Sequence, residues 1–324
     1  MGNIPFPPGM QIGIFEQGSV FSFLNAGLLN GLYPALLFLG LGVLIDFSSI
    51  ISNPKLVLIG IAAQIGIFAA YMISLSFGFS PFDAGAIAII GSADVPTAIF
   101  LASRISPELI AAIAISVCTY LALIPVIQPP IMRMLTSQKE RVIRMAPQRA
   151  VSQTEKIMFP IVGFLLTCFF VPAAIPLLGM LFFGNFLKEC GVTKLLSNTA
   201  GGTLSDILII LIGVTVGAST QATVFPIKAM FVIFVIGAIG FAVATVSGIL
   251  VVKIMNLFLR EGKKINPLIG GAGVSALPHS AMLVQEEGLR YDTGNHLLVH
   301  AMGPTVASVI GSAVVAGIIL GFLG

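Results

Sequence analysis

Apolar residues run along this chain in long unbroken blocks rather than in the alternating or three-to-four-residue pattern of a soluble fold. Six blocks approach the roughly 20 apolar residues that a membrane helix needs: residues 28–45, 56–77, 109–127, 157–181, 227–252 and 297–323. Three further blocks, at 82–105, 204–225 and 267–284, are apolar but interrupted by Gly, Pro or polar residues. The pattern predicts an all-α polytopic membrane protein. It leaves the number of crossings open, because 157–181 and 227–252 need a consistent crossing or re-entrant element between them.

Composition agrees. Hydrophobic residues make up 57% of the 324 positions and charged residues 9%, against roughly 25% charged in soluble domains. Three cysteines exclude a disulfide scaffold, and Cys118, Cys168 and Cys190 read as small packing residues. A net charge of +3 is too small and too localised for nucleic acid. Residues 1–24, with Pro5, Pro7 and Pro8, lack the basic start and cleavage site of a signal peptide and read as an irregular lead-in.

The basic residues orient the chain. Arg133, Lys139, Arg141, Arg144, Arg149 and Lys156 crowd one polar loop, and Lys253, Arg260, Lys263 and Lys264 another. The positive-inside rule makes both loops cytoplasmic, and the longer one is large enough to meet a cytosolic partner. The acidic stretch with Glu286, Glu287 and Asp292 is expected on the opposite side or within the protein. No phosphate loop, nucleophile elbow or Cys-x-x-Cys pair is present. His296 and His300 stand four apart but lack the accompanying Cys or carboxylate pattern of a metal site.

The chemistry lies in the interrupted blocks. In the first, Gly91-Ser92-Ala93-Asp94-Val95-Pro96-Thr97 sets an aspartate among apolar residues, at a cost of about 2.5–3.5 kcal/mol even on lenient scales. Pro96 suits the first turn of a new helix, so two half-helices are predicted with Asp94 between them, as cap or as ion site. In the second, Asn266-Pro267 opens a small-residue run through Gly270 to Ser275 and Pro278. Breaks at corresponding places in two halves point to an inverted-repeat transport fold. Residues 25–127 form the first repeat, 128–156 the basic loop and 157–324 the second repeat. Taken alone, Ser275 and Asn266 read as helix-bonding and capping residues, and Tyr120 as interior packing or as a contact to Asp94.

The stretches GSADVPTAIFLASRI, IPVIQPPIMRMLTSQKERVIRM, INPLIGGAGVSALP and HAMGPTVASVIGSAVVAG resemble the beta subunit of sodium-pumping biotin-dependent decarboxylases. The oxaloacetate, glutaconyl-CoA, methylmalonyl-CoA and malonate enzymes share that subunit, and the similarity runs over nearly the whole chain from about Asn25. The resemblance implies a membrane carboxybiotin decarboxylase that exports Na+ from a bacterial or archaeal cytoplasmic membrane. It implies partners as well: a biotin-carrying carboxyltransferase alpha subunit, a small gamma-type subunit and further copies of the chain. Carboxybiotin would arrive on the partner, and Na+ would be the transported ion. Family site residues carry onto Asp94, Tyr120, Asn266, Gly270 and Ser275.

Four positions depart from the family pattern. Ser92 and Val95 replace glycines of GGADGPT, Met282 replaces an arginine seven residues after the serine, and Thr305 replaces the asparagine of GPN. Met282 and Thr305 are placed in a substrate vestibule, where His279, one turn before Met282, is the candidate substitute cation and proton donor. Two other readings stay open. One is a Na+-coupled carboxylate transporter that works without a biotin protein, and the other an inactive scaffold subunit of such a pump.

Overall fold

The computed structural model describes residues 18–220, 227–260 and 262–324, and is helical throughout, with no strand among them. The lead-in at 1–24 thus lies largely outside the described residues, as does the end of the block at 204–225. Helices α1 (Val20–Leu29) and α2 (Leu32–Leu44) meet at a bend of 61°. They are followed by α3 (Pro54–Ser76), the paired half-helices α4 (Pro81–Ser92) and α5 (Val95–Ile105), and α6 (Pro107–Leu135). The second half comprises α7 (Gln153–Phe170), α8 (Ile175–Glu189), α9 (Lys194–Ser219) and α10 (Ile227–Phe258). A 3-10 helix at Pro267–Gly273, α11 (His279–Tyr291) and α12 (Leu298–Leu323) complete it. Six of these helices are long and apolar enough to cross a membrane, or seven if the bent α1–α2 pair is one span.

Ion pairs and hydrogen bonds fix which ends share a face. Asp46 approaches Lys156 at 4.0 Å, Lys188 reaches the Ile45 carbonyl and Gln153 that of Glu189. The ends of α2 and α8 and the start of α7 therefore lie together, beside the basic loops. At the opposite end Ser106 donates to Asp83 at 2.5 Å, and Arg104 to the Asn30 carbonyl at 2.7 Å.

Two of the three interrupted blocks, 82–105 and 267–284, are re-entrant hairpins, whereas the described part of 204–225 belongs to the single helix α9. The Ser106–Asp83 bond ties the two ends of α4–α5 together, so this hairpin enters and leaves by the face opposite the basic loops. The second does the reverse: Asn266 and Asn295, at its two ends, both donate to the Arg141 carbonyl of the basic loop, at 2.8 and 3.0 Å. The sequences α3–hairpin–α6 and α10–hairpin–α12 thus run in opposite senses, as an inverted repeat does.

Two expectations are corrected here. The block 157–181 is two helices, because Val171 leaves helical geometry (φ −141°) directly before Pro172, where the residue before proline is pushed away from helix. The missing reversal lies at that turn. Of the placements expected for the acidic stretch, burial holds for Glu287, which is 1% exposed, but the opposite side does not: the stretch lies on the same face as the basic loop, where Arg133 pairs with Glu287, and Arg144 with Asp292 at 2.7 Å. It sits there because α11 returns instead of crossing. Hydrogen bonding by Arg144, with help from the Gly294 amide, holds the Asp292 carboxyl down at about 2.

Helix α10 runs between the hairpins and contacts both. Glycines allow the approach. A Cβ on Gly91 would stand 2.9 Å from the Gly66 carbonyl oxygen of α3, and one on Gly270 would stand 2.4 Å from the Ile249 Cα of α10. Nothing larger fits either crossing. Without a hydrophobic drive between helices in lipid, such close backbone packing is what holds the bundle together.

Candidate functional site

The hairpins meet at their tips: the Ser275 amide donates to the Ser92 carbonyl at 2.9 Å. Directly after this contact the first hairpin turns through Ala93, whose φ of 56° makes it the one non-glycine with positive φ among the described residues. Asp94 follows in extended geometry and caps α5. Its Oδ1 accepts from the Thr97 amide at 3.3 Å and its Oδ2 from the Thr97 hydroxyl at 2.8 Å. The positive end of the α5 dipole adds support to the carboxylate.

A third bond reaches Asp94 from another element. Ser312 of α12 donates to Oδ2 at 2.5 Å and has a second acceptor, the Val309 carbonyl, at 3.0 Å. Ser312 also lies 3.4 Å from the Ser275 hydroxyl, which shares a hydrogen bond of 2.8 Å with Ser308. Ser308 in turn accepts from the Gln64 amide nitrogen at 3.0 Å, within the helix break of α3. Five side chains from both hairpins, α3 and α12 therefore form one polar chain, Gln64–Ser308–Ser275–Ser312–Asp94. All five are buried, and the Gln64 Oε1 at its far end has no hydrogen-bond partner.

Asp94 is 3% exposed. Among the described residues no Lys, Arg or His pairs with it; every contact is a hydroxyl or an amide. Beside it lies a cavity of about 340 Å³ walled by Leu37 and Leu41 of α2, Ile209 of α9 and Leu121 of α6, with Asp94 and Ser275 on its surface. Small oxygen donors around an unpaired carboxylate suit a hard monovalent cation or a proton. No group of three or more His, Cys, Asp or Glu residues is placed to hold a metal among the described residues.

The expected site residues divide. Asp94 and Ser275 come together, and Ser275 bonds across to α12 and not only within its own segment. Asn266 and Gly270 do not join them. All of Asn266's amide atoms are used at the base of the hairpin, on Arg141 O, Ile143 O and Leu268 N. The intervening 3-10 segment, rising about 2.0 Å per residue, carries it well away from the tip, and Gly270 is spent on the crossing with α10. The Tyr120 hydroxyl donates to the Phe234 carbonyl, and its ring stacks on Phe234 at 5.1 Å, so it packs against α10 and does not touch Asp94.

Met282 and Thr305 do not share a vestibule. Thr305 is fully buried and ties α12 to the second hairpin through the Ala272 carbonyl at 2.8 Å. Met282 is 50% exposed, and His279 is exposed one turn earlier on the same face of α11. Val95, in place of a family glycine, is unstrained: it begins α5 at negative φ.

Sequence reasoning passed over Ser312, Ser308, Thr97 and Gln64. Ser308 and Ser312 stand at i and i+4 in a long apolar helix, which is a legible stripe once a partner is known. Gln64 is a lone amide in the middle of a span. Both are costly features in a bilayer.

Residues 1–323 match the model of the Na+-transporting oxaloacetate decarboxylase beta subunit family. The chain is 47% identical over 310 residues to the methylmalonyl-CoA decarboxylase subunit beta of Propionigenium modestum, covering 95% of this chain and 78% of that one. It is 46% identical over 315 residues to the oxaloacetate decarboxylase beta chain of Klebsiella pneumoniae, covering 95% and 72%. Against the methylmalonyl-CoA decarboxylase subunit beta of Veillonella parvula it is 44% identical over 309 residues, covering 95% and 82%. This chain, a multi-pass membrane protein whose two re-entrant hairpins meet at a buried aspartate, belongs to the beta subunits of the Na+-transporting decarboxylases.

Proposed function

We propose that Asp94 alternately holds Na+ and a proton, and that this exchange couples decarboxylation of a biotin-bound carboxylate to Na+ export. The observation that carries the reading is a buried carboxylate at the meeting point of two re-entrant hairpins with no basic partner. A fixed arginine or lysine would neutralise it permanently; a mobile cation does so reversibly. The bare charge costs several kcal/mol at this depth, and hydroxyl donors offset only part of that.

Ser312 suits the exchange because it has two acceptors. With the carboxylate empty, its proton rests on Oδ2. When a cation or proton occupies Oδ2, the hydroxyl turns to the Val309 carbonyl and offers a lone pair in place of its hydrogen. Ser275 and Ser308 extend the polar surface toward Gln64, whose free Oε1 is a further acceptor.

The partner's carboxybiotin supplies the chemistry: loss of carbon dioxide leaves an electron pair on a ureido nitrogen, which takes up one proton. A proton released from Asp94 as Na+ binds would meet that demand. Moving each Na+ outward works against about 2.3 kcal/mol per 100 mV. The alpha and gamma subunits of the complex, the cytoplasmic membrane and a homo-oligomeric core belong to this reading, with the basic loops on the cytoplasmic side.

The test is Na+ uptake and carbon dioxide release by the whole complex in proteoliposomes, with Asp94→Asn and with avidin. Loss of both activities in the variant, and their block by avidin, is expected. Avidin-insensitive Na+ uptake would favour the carboxylate transporter, and full coupled turnover by Asp94→Asn would remove Asp94 from the mechanism.

A further inference from the structure

Gln64 lies in the middle of α3, a membrane span, and is buried. A polar side chain there is costly, the more so because its Oε1 has no hydrogen-bond partner. A leucine side chain would fill the same space without an orphan acceptor. What the amide adds is its nitrogen. The helix breaks at this residue: the main-chain N–H of Gln64 turns to the Ile61 carbonyl at 3.1 Å, and the side-chain nitrogen donates to the Gly60 carbonyl at 2.9 Å. The Ser308 carbonyl stands 3.4 Å from the same nitrogen and the Ser308 hydroxyl 3.0 Å. Two carbonyl oxygens facing one end of the amide fix that end as nitrogen, since an oxygen there would be repelled by both. Gln64 therefore gives a hydrogen to the Ser308 hydroxyl and does not take one from it.

That direction is passed along the polar chain, because each hydroxyl has one hydrogen to give. Among the described residues the Ser308 hydroxyl has one acceptor, Ser275 Oγ at 2.8 Å. Ser275, once it receives this hydrogen, turns its own to Ser312 at 3.4 Å. With Gln64 donating at one end and the carboxylate accepting at the other, every hydrogen points the same way: Ser308 to Ser275, Ser275 to Ser312, Ser312 to Asp94. Hydrogen bonds aligned head to tail strengthen one another by about 10–30% each. The alignment favours the bare carboxylate, because a cation or proton on Oδ2 displaces the Ser312 hydrogen at the end of the row. Gln64 itself makes no hydrogen bond to Asp94 and does not line the cavity beside it.

Resting on the reading that Asp94 holds Na+ and a proton in turn, we propose that Gln64 is a positioning residue that sets the sense of the hydroxyl chain and so loosens the grip of Asp94 on Na+. A transported ion must bind well enough to enter and weakly enough to leave. Ser275 and Ser312 face the ion as ligands, whereas Gln64 acts on it through four hydrogen bonds in series. Its removal therefore has the opposite sign to the removal of a ligand hydroxyl: the ion is held more tightly.

The experiment measures the Na+ dependence of carbon dioxide release by the whole complex in proteoliposomes, with a melting curve for each variant. Gln64→Leu should lower the half-saturating Na+ concentration about two- to threefold, as loss of the mutual strengthening implies. It should lower kcat by a similar factor, because the ion leaves more slowly. Ser308→Ala breaks the chain one link nearer the site. It should shift both quantities in the same direction, and it decides the matter if Gln64→Leu does not fold. The double variant should go no further than either single one, since Gln64 acts through Ser308. An unchanged half-saturating concentration would leave Gln64 with the helix break alone and overturn the proposal. A raised one would overturn it too, making Gln64 a ligand through Oε1. Asp94→Asn in the same assay separates this role from the underlying reading. Inactivity there, with unaltered Na+ dependence in Gln64→Leu and Ser308→Ala, rejects only the role of Gln64; full turnover by Asp94→Asn rejects both.

Discussion

The two hairpins are built to the same plan and carry different loads. Each enters the bundle from one face, turns back midway and presses a glycine against its neighbours. The first places a charged side chain at its tip, held by a left-handed alanine and a helix cap. The second places only a hydroxyl and a backbone amide there. Its polar side chains, Asn266 and Asn295, are used at its base to hold it to the basic loop. The first hairpin thus carries the charge and the second brings a hydroxyl and an amide to it, and α12 joins them through Ser308 and Ser312. In the proposed reading the ion chemistry depends on the meeting of the two, because neither tip has enough oxygen donors alone.

The largest expected effect comes from removing the charge. Asp94→Asn keeps the shape and the acceptor for the Thr97 amide, while its NH2 donates to the Thr97 and Ser312 hydroxyls in place of accepting from them, and it is cheaper to bury, so the protein should remain folded. Decarboxylation and Na+ transport should fall at least about a hundredfold, comparable with the loss of several kcal/mol of site interaction. The check is coupled turnover together with a melting curve. Activity lost along with folding would assign Asp94 a structural role and collapse the distinction between the hairpins.

Removing single hydroxyls should act on affinity rather than on stability. Ser312→Ala and Ser275→Ala each remove one hydroxyl from the buried polar chain, and a bond of this kind is worth about 1 kcal/mol, so each should raise the half-saturating Na+ concentration roughly five- to tenfold. Ser312 touches Asp94 directly and should have the larger effect. Because both belong to one chain, the double variant should be less than additive. Additive effects would mean that the second hairpin acts on Na+ independently of the first.

Much of this was legible in the sequence, for reasons that differ by residue. Continuous apolar blocks announce spans, and an aspartate beside Pro96 announces a break, because both are expensive unless built that way. The break at Val171–Pro172 was hidden by unbroken hydrophobicity on either side, although Pro172 itself was visible. The side on which the acidic stretch lies was misread because charge counts cannot tell a crossing helix from one that returns. The family resemblance groups Asn266 and Gly270 with Ser275, yet a 3-10 segment separates hairpin base from tip. Ser312 could not be chosen from the sequence alone: serines in membrane helices usually bond their own backbone, and only the fold brings this one to Asp94.

The base of the second hairpin offers a pH test. Asp292 titrates at about 2, below its ordinary 3.8, because it accepts hydrogen bonds from Arg144 first and the Gly294 amide second. A depressed carboxylate adds stability that is complete above its unfolded value and is lost as pH falls through the folded one. Between about pH 4 and pH 2 the unaltered chain should therefore lose more stability than Asp292→Asn, and above pH 5 the difference between the two should be constant. The pair is solvent-exposed, so the effect should be small and weakened by salt. Thermal denaturation of both forms across that range checks it, and parallel curves would mean that Arg144 does not clamp this hairpin.

The smallest effect is expected at Ala93, where the first hairpin stores strain and the second does not. An alanine at φ 56° costs about 1–2 kcal/mol relative to a right-handed conformation, and Ala93→Gly removes that cost. The same change widens the unfolded ensemble by roughly 0.4–1 kcal/mol and deletes a methyl that is 1% exposed. These terms nearly cancel, so the melting temperature of Ala93→Gly should stay close to that of the unaltered chain. Ala272→Gly in the second hairpin is the matched control: Ala272 is equally buried but has negative φ, so it has no strain to release. It should lose about 1 kcal/mol or more for the same atomic change. An equal loss at both positions would show that Ala93 is not strained and that the hairpin tips differ in charge alone.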